Sequence, residues 1–179
     1  TAYGKAINLG SIESKFKCAM LLEETGQYEK GLVLCEEFLK DGDKNRSEVW
    51  MLKARLHIKN NEIGKAIEAY ESATIAIDNQ LKITSTEYSL WIRKGEALGR
   101  ICKLDEAIGA IEKALSFKLS DEDLFKAYLQ KAQLYASHGK FKEALVPIDE
   151  ALKINPEDKD AKKIRECLMI DIKKTEKLI

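Results

Sequence analysis

Apolar residues recur at intervals of three and four along most of this chain, which is the spacing of one face of an α-helix. The pattern is clearest between Leu124 and Leu152, where a first apolar stripe contains Tyr128, Ala132 and Tyr135. After Gly139 comes a second stripe, consisting of Phe141, Ala144, Ile148, Ala151 and Leu152. Because glycine commonly ends a helix, the two stripes predict two antiparallel helices joined by a short turn.

The same two-stripe unit occurs four times, and small residues mark its equivalent positions. In the first helix of the unit the position is held by Ala19, Ala54, Gly95 and Ala132, which are 35, 41 and 37 residues apart. Two positions of the second helix are held by Gly31, Ala66, Ala107 and Ala144, and by Phe38, Ala73, Ala114 and Ala151. How closely helices approach depends on the side chains between them, so recurring small residues indicate a repeated packing scheme, with Phe38 as its exception.

This unit resembles the tetratricopeptide repeat, a pair of helices with a period of about 34 residues. The resemblance implies an all-α fold, an α-solenoid with a right-handed superhelix, built from about four helix-turn-helix repeats. We expect a degenerate first repeat at 12–46 and a second at 47–87. The additional residues from Asp78 to Ser85 are expected to extend the second helix of that repeat by one or two turns and to form a longer loop after it. The third and fourth repeats are expected at 88–124 and 125–158.

The two ends of the chain are predicted to differ. Residues 159–179 place Ala161, Ile164, Leu168 and Ile172 on one helix face, so we expect a capping helix that covers the last repeat. Residues 1–11 form an N-terminal stub, which is either the edge of a preceding repeat, an artificial remnant, or sequence joined across a gap. Because the chain begins with threonine, we expect it to be a fragment of a longer protein.

Turns and helix starts can also be predicted. Gly26, Asn61 and Gly139 suit the turns between paired helices, because glycine and asparagine readily adopt the positive φ that ends a helix. In the third repeat the same position is held by Cys102, which is not a typical residue for such a turn. Capping-box spacing predicts helix starts after Thr84 and Ser120, and Asn155 before Pro156 predicts a third.

The resemblance also implies a binding surface, because in this family the first helix of each repeat lines the concave groove that holds a peptide or helix of another protein. Alignment of the four copies gives the inward positions as Phe16, Met20, Met51, Leu52, Arg55, Lys59, Ile92, Arg93, Glu96, Arg100, Lys126, Leu129, Gln130 and Gln133. Five of these are cationic, and arginine binds carboxylates in bidentate fashion, which favours an acidic partner.

Two alternatives to a peptide-binding scaffold remain. Co-chaperones of this family hold a C-terminal carboxylate with two lysines, two asparagines and an arginine, but the matching positions here are Met51, Arg55, Arg93, Lys126 and Gln130. A co-chaperone-like adaptor would therefore lack the usual clamp. The other alternative is a structural self-assembly module, a homo-oligomer within a larger repeat array.

Composition argues against several other classes of function. The 30 basic and 30 acidic residues balance, and the groove positions carry no row of aromatic residues, so we expect no nucleic-acid partner. No apolar run approaches the roughly 18 residues that span a bilayer, so we expect no membrane insertion and a cytoplasmic location.

Chemistry-bearing residues are sparse. The four cysteines lack metal-ligand spacing, which predicts free thiols and no metal. The only two histidines, His57 and His138, have no neighbouring nucleophile with an orienting group, and no glycine-rich phosphate-binding loop is present. We expect His57 to be a packed residue, and the protein to have neither a cofactor nor enzymatic activity.

Overall fold

The computed structural model describes residues 12–40 and 46–176, with side chains described from Ser14 onward. The predicted stub at 1–11 lies outside these residues. Over the described ranges the chain forms nine α-helices and no strand, which confirms the all-α expectation. Their bounds are α1 Ile12–Glu24, α2 Tyr28–Lys40, α3 Ser47–Lys59, α4 Ile63–Ile83, α5 Tyr88–Arg100, α6 Leu104–Leu115, α7 Asp121–Ser137, α8 Phe141–Ile154 and α9 Lys159–Glu176.

Consecutive helices pack as pairs, α1 with α2, α3 with α4, α5 with α6 and α7 with α8. The fourth helix has 21 residues, whereas the other second helices have 12 to 14. The helix α7 begins at Asp121, four residues before the predicted start of its repeat at Phe125. Of the helices in the described ranges, none is both long and apolar enough to cross a bilayer.

The chain divides into two compact units between Ser85 and Thr86. In the first unit, α3 packs against both helices of the preceding pair. Its side chains Val49, Leu52 and Leu56 join residues of α1 and α2 in one buried cluster. The pairs of this unit therefore share a core, as a stack of repeats requires.

The second unit repeats this packing and adds α9. The helix α7 packs against α5 and α6, and it contributes Ala127 and Leu134 to their buried cluster. On its other side, Ala132 of α7 belongs to a cluster with residues of α8 and α9, including Ala161 and Leu168. The last helix thus covers the apolar surface of α8.

Four turns between paired helices share one geometry. In each, a residue with positive φ follows the first helix, and the next N–H group donates to a carbonyl five residues back. The positive-φ residues are Gly26 at 74°, Asn61 at 58°, Cys102 at 62° and Gly139 at 72°. This is the Schellman arrangement, which satisfies carbonyls at a helix end. Cys102 adopts it although a Cβ atom disfavours the left-handed region.

Of the three predicted helix starts, one is confirmed and two are wrong. The Ser120 hydroxyl accepts a hydrogen bond from the Asp123 amide at 3.2 Å, as a capping residue does. The Thr84 hydroxyl instead donates back to the Gln80 carbonyl at the end of α4. The last helix starts after Asp158, whose carboxylate accepts from the Ala161 amide at 2.8 Å, so Asn155 does not cap it.

The predicted packed histidine is confirmed. His57 is only 5% exposed, and its Nδ1 lies 2.7 Å from Oε2 of Glu62 in the following turn. Hydrogen bonds from Lys65, His57 and Asn60 lower the pKa of the Glu62 carboxyl to about 2. The imidazole is therefore held in place by a carboxylate that stays ionised in all but strongly acidic solution.

Candidate peptide-binding site

Two of the predicted groove residues are buried. Met51 is 3% exposed and Leu52 is 0% exposed, and Leu52 belongs to the core cluster of the first unit. The prediction that they line an open groove is therefore wrong for both. Leu52 is covered because α3 rests on both α1 and α2, so a wider face of this helix is buried than the alignment assumed.

Two predicted cations of the first unit already bind a carboxylate of the chain. Arg55 makes a bidentate pair with Glu23, with Nε–Oε1 and Nη2–Oε2 distances of 3.0 Å, and Lys59 lies 3.5 Å from the same carboxylate. Burial alone would raise the pKa of Glu23, but the hydrogen bonds and charges of Arg55 and Lys59 outweigh it, and the pKa is lowered. Such a bidentate pair is a strong charge-assisted contact. An acidic partner would have to displace Glu23 to reach Arg55.

The remaining apolar groove candidates differ in how far they are buried against the core. Phe16 is half-buried and packs edge-on against Phe38, with ring centroids 6.4 Å apart. Ile92 and Leu129 are also half-buried and pack on the two clusters of the second unit. Met20 differs, since it is 41% exposed.

Two of the cations predicted for the second unit have differing surroundings. Lys126 is exposed and pairs with Glu122 one turn earlier on α7. Arg93 is half-buried on α5. Neither residue lines the cleft that contains the remaining four candidates, Glu96, Arg100, Gln130 and Gln133.

A cleft of about 460 Å³ between α5 and α7 contains four of the predicted residues. We call it the α5–α7 cleft, and its lining consists of Glu96, Gly99, Arg100, Cys102, Gln130, Gln133, Leu134, Ser137 and His138. The alignment of first helices predicted four of these residues, Glu96, Arg100, Gln130 and Gln133. It did not predict the other five lining residues.

The floor of the α5–α7 cleft depends on a glycine. A Cβ atom at Gly99 would overlap Cδ2 of Leu134, so the absence of a side chain lets Leu134 lie against the backbone of α5. Leu134 itself is 8% exposed. Gly99 and Leu134 therefore form an apolar base between the polar residues.

Charged and amide groups surround this base. Glu96 and Arg100 make no ion pair with any residue that the structure describes. Gln130 donates from Nε2 to the Ile92 carbonyl at 3.2 Å, which fixes its amide and leaves Oε1 as an acceptor. Gln133 is exposed at the rim. The cleft thus offers a cation, an anion and amide groups to a ligand.

His138 adds a buried acceptor at one end of the cleft. Its Nδ1 lies 2.9 Å from the Leu134 carbonyl, which can only accept, so Nδ1 carries the proton in the neutral ring. Nε2 is then an acceptor, and it is buried without a hydrogen-bond partner among the described residues. An unpaired buried acceptor of this kind costs about 1–3 kcal/mol.

Consecutive antiparallel helix pairs that stack on one another define the class of α-helical repeat proteins. A family model for the tetratricopeptide repeat matches residues 47–74 and 125–158. These two segments are similar to the tetratricopeptide repeat, and together they make up 62 of the 179 residues. Repeats of this family indicate a scaffold for protein–protein interaction.

Solved structures share the fold at low sequence identity. PilF of Pseudomonas aeruginosa is 15% identical, with a TM-score of 0.64 over 97% of this chain and 72% of that one. A putative kinesin light chain of Podosopora anserina is 16% identical, with a TM-score of 0.60 over 92% of this chain and 96% of that one. These likenesses concern the fold alone.

One curated relative matches most of the chain. The signal recognition particle subunit SRP72 of Dictyostelium discoideum is 23% identical over 147 residues, which cover 76% of this chain. The match covers 22% of the relative, so the chain spans about a fifth of its length.

Proposed function

We propose that this chain is a non-enzymatic interaction scaffold that binds a peptide segment of a partner protein in the α5–α7 cleft. The observation that carries the proposal is the convergence of Glu96, Arg100, Gln130 and Gln133 on one cleft with an apolar floor. Charged side chains that lack an internal partner can bind a ligand without first breaking a contact of the free protein, which lowers the cost of binding.

The acidic-partner hypothesis then centres on Arg100. Arg55 and Lys59 share Glu23, and Lys126 pairs with Glu122, so these cations are already neutralised within the chain. A carboxylate of the partner that meets Arg100 would form a charge-assisted hydrogen bond, whose contribution is about 1.5–3 kcal/mol.

Site-specific photo-crosslinking tests the proposal in the cell that makes the protein. Benzoylphenylalanine at Gln133 places the crosslinker on the cleft, and the matched control places it at Gly109, which is exposed on α6 with nothing within 4 Å of an added Cβ. We expect a crosslinked partner from position 133 and not from 109. Arg100→Glu should abolish that product, whereas Lys118→Glu, the same charge change on an exposed residue outside the cleft, should leave it.

The proposal would be rejected by identical products from positions 133 and 109. It would equally be rejected if the product from position 133 survived Arg100→Glu in a variant whose far-UV circular dichroism shows intact helices. Either result would place the partner elsewhere on the chain.

A second candidate function comes from the curated relative. The likeness to a signal recognition particle subunit supports the proposal that the chain is part of a subunit of such a particle. Density-gradient fractionation of the tagged full-length protein from its own cells would test this. Co-migration with the particle is expected, and a profile separate from the particle would contradict the proposal.

The self-assembly alternative and the cytoplasmic location stay predictions. A concentration-dependent increase in sedimentation coefficient would support a homo-oligomer, and a constant monomer value would count against it. Fluorescence microscopy of the tagged full-length protein would test the location, because a signal confined to a membrane-bound compartment would contradict it.

A further inference from the structure

The α5–α7 cleft holds two opposite charges that do not neutralise each other. Glu96 precedes Arg100 by four residues on α5, the order in which an acid and a base stabilise a helix by pairing. No such ion pair is present, although both side chains line the cleft. Each charge is therefore open to a ligand.

This pair of charges occurs in one copy of the repeat. The positions equivalent to Glu96 hold Met20, Arg55 and Gln133, and those equivalent to Arg100 hold Glu24, Lys59 and Ser137. The arrangement is therefore independent of the packing that all copies share. A feature confined to one copy is better suited to selecting a ligand than to building the stack.

The spacing of Glu96 and Arg100 along α5 matches the geometry of an extended peptide. Residues four apart on a helix have Cβ atoms about 5–6 Å apart. In an extended chain, residues i and i+2 point to the same side and lie about 6.6 Å apart, at about 3.3 Å per residue. One peptide can thus present a basic residue to Glu96 and an acidic residue to Arg100 when a single residue separates them.

The opposite wall of the cleft suits the backbone of such a peptide. Oε1 of Gln130 is an acceptor held in place by the bond from Nε2 to Ile92, and the Gln133 amide can both donate and accept. Between these walls, Gly99 and Leu134 provide an apolar floor. The α7 side can therefore hold backbone N–H and C=O groups while the α5 side contacts the side chains.

From these observations we infer that the α5–α7 cleft selects an extended peptide with a basic and an acidic residue two positions apart. The inference rests on the proposed function, because it names the chemistry of the segment bound in that cleft. A segment with two acidic residues is disfavoured, since its second carboxylate would meet Glu96.

Defined peptides test the inference with the whole chain. The probes are acetylated and amidated alanine-based heptapeptides that contain Lys-Ala-Glu, Glu-Ala-Lys, Lys-Ala-Ala-Glu or Glu-Ala-Glu. Their affinities are measured by titration of ¹⁵N-labelled protein, with the Gly99 amide and the side-chain amides of Gln130 and Gln133 as reporters. We expect one of the two-position mixed-charge peptides to bind about fivefold more tightly than the other three.

Charge variants separate this chemistry from unspecific attraction. Glu96→Arg and Arg100→Glu should each weaken the preferred peptide about fivefold, and the double variant should prefer the opposite order of charges. The inference is overturned if Glu-Ala-Glu binds as tightly, if spacing has no effect, if the double variant keeps the original order, or if no peptide shifts the reporters at about 10 mM.

The outcome can be separated from that of the proposed function. A crosslinked partner at position 133 together with peptides that bind without charge preference would reject only the selectivity inferred here. Absence of both the crosslink and peptide binding would reject the cleft as a site altogether.

Discussion

Replacing Gly95 by alanine tests a close approach between α5 and α6. A Cβ atom at this position would lie 2.5 Å from Cδ1 and 2.7 Å from Cγ1 of Ile111, and 3.1 Å from the Ala107 carbonyl. Ile111 is fully buried, and a β-branched side chain in a helix has one strongly preferred χ1 rotamer. The carbonyl belongs to the backbone of α6. Neither group can move aside without disturbing its neighbours.

The expected magnitude is the difference of two terms. Alanine gains about 1 kcal/mol over glycine in a helix interior, and overpacking a dense core costs about 1–3 kcal/mol. The net effect of Gly95→Ala should therefore lie between about zero and 2 kcal/mol of destabilisation. Gly109→Ala is the matched control, because Gly109 is exposed on α6 and an added Cβ would have nothing within 4 Å. It should stabilise by about 1 kcal/mol.

Tryptophan fluorescence provides an assay specific to the second unit. The chain has two tryptophans, Trp50 in the first unit and Trp91 in the second, so a Trp50→Phe background leaves Trp91 as the reporter. Urea unfolding in this background should place the midpoint of Gly95→Ala below that of Gly109→Ala. Equal stabilisation by both substitutions would refute the reasoning, since it would show that the two helices leave room for a methyl group at Gly95.

Three further predictions follow from local geometry. Cys102→Gly should raise the midpoint of the same urea transition, by about 1 kcal/mol in free energy, because Cys102 has a φ of 62°; an unchanged midpoint would contradict this. The exposed thiols of Cys102 and Cys167 should react rapidly with Ellman's reagent, whereas Cys35, whose pKa burial raises to about 12, should react only on unfolding; rapid reaction of Cys35 in the native protein would disprove this. Because hydrogen bonding, chiefly from Lys65, holds the folded pKa of Glu62 near 2, its stabilisation should be complete above about pH 4.5 and lost as the pH falls towards 2. Unfolding midpoints measured across this range should depend less on pH in Glu62→Gln, and an unaltered pH profile would count against the assignment.

The helix pairs were predictable because their cause is local. An apolar stripe must be buried, and two stripes separated by a glycine can bury each other as a hairpin. The third turn shows the limit of this reasoning. Cys102 adopts the same left-handed conformation as Gly26 and Gly139, although its residue type gives no sign of it. The packing of α5 on α6 and the two Schellman hydrogen bonds outweigh the preference of Cys102 for a negative φ.

The binding surface was less predictable because it depends on contacts between copies. The alignment placed Arg55 on the groove, but it could not show that Glu23, 32 positions earlier, forms a bidentate pair with it. Similarly, the alignment placed Leu52 among the inward positions of the groove. Burial of Leu52 follows from the way α3 rests on two earlier helices, which no single helix encodes.

A recurring ion pair between repeats is a sequence signal that the alignment of packing positions did not use. Lys53 follows Trp50 by three residues and lies 3.3 Å from Glu36 on the preceding second helix. In the fourth copy, Lys131 follows its aromatic residue by the same interval and lies 2.7 Å from Glu112. In both cases a lysine lies three positions after the aromatic residue, and its acidic partner lies 17 or 19 positions before the lysine. This spacing is visible in the sequence, and it marks a contact between repeats.

Positions at which the copies differ carry a different kind of information. The position of Gly99 is held by Glu23, Ile58 and Ala136 in the other copies, so its small size is not part of the shared packing scheme. That difference lets Leu134 form the cleft floor, since any side chain at Gly99 would displace it. A repeat fold constrains the residues that every pair needs, and it leaves the others free to vary. The cleft is lined by residues of the second kind, which is why its chemistry can be specific while the scaffold remains common to the family.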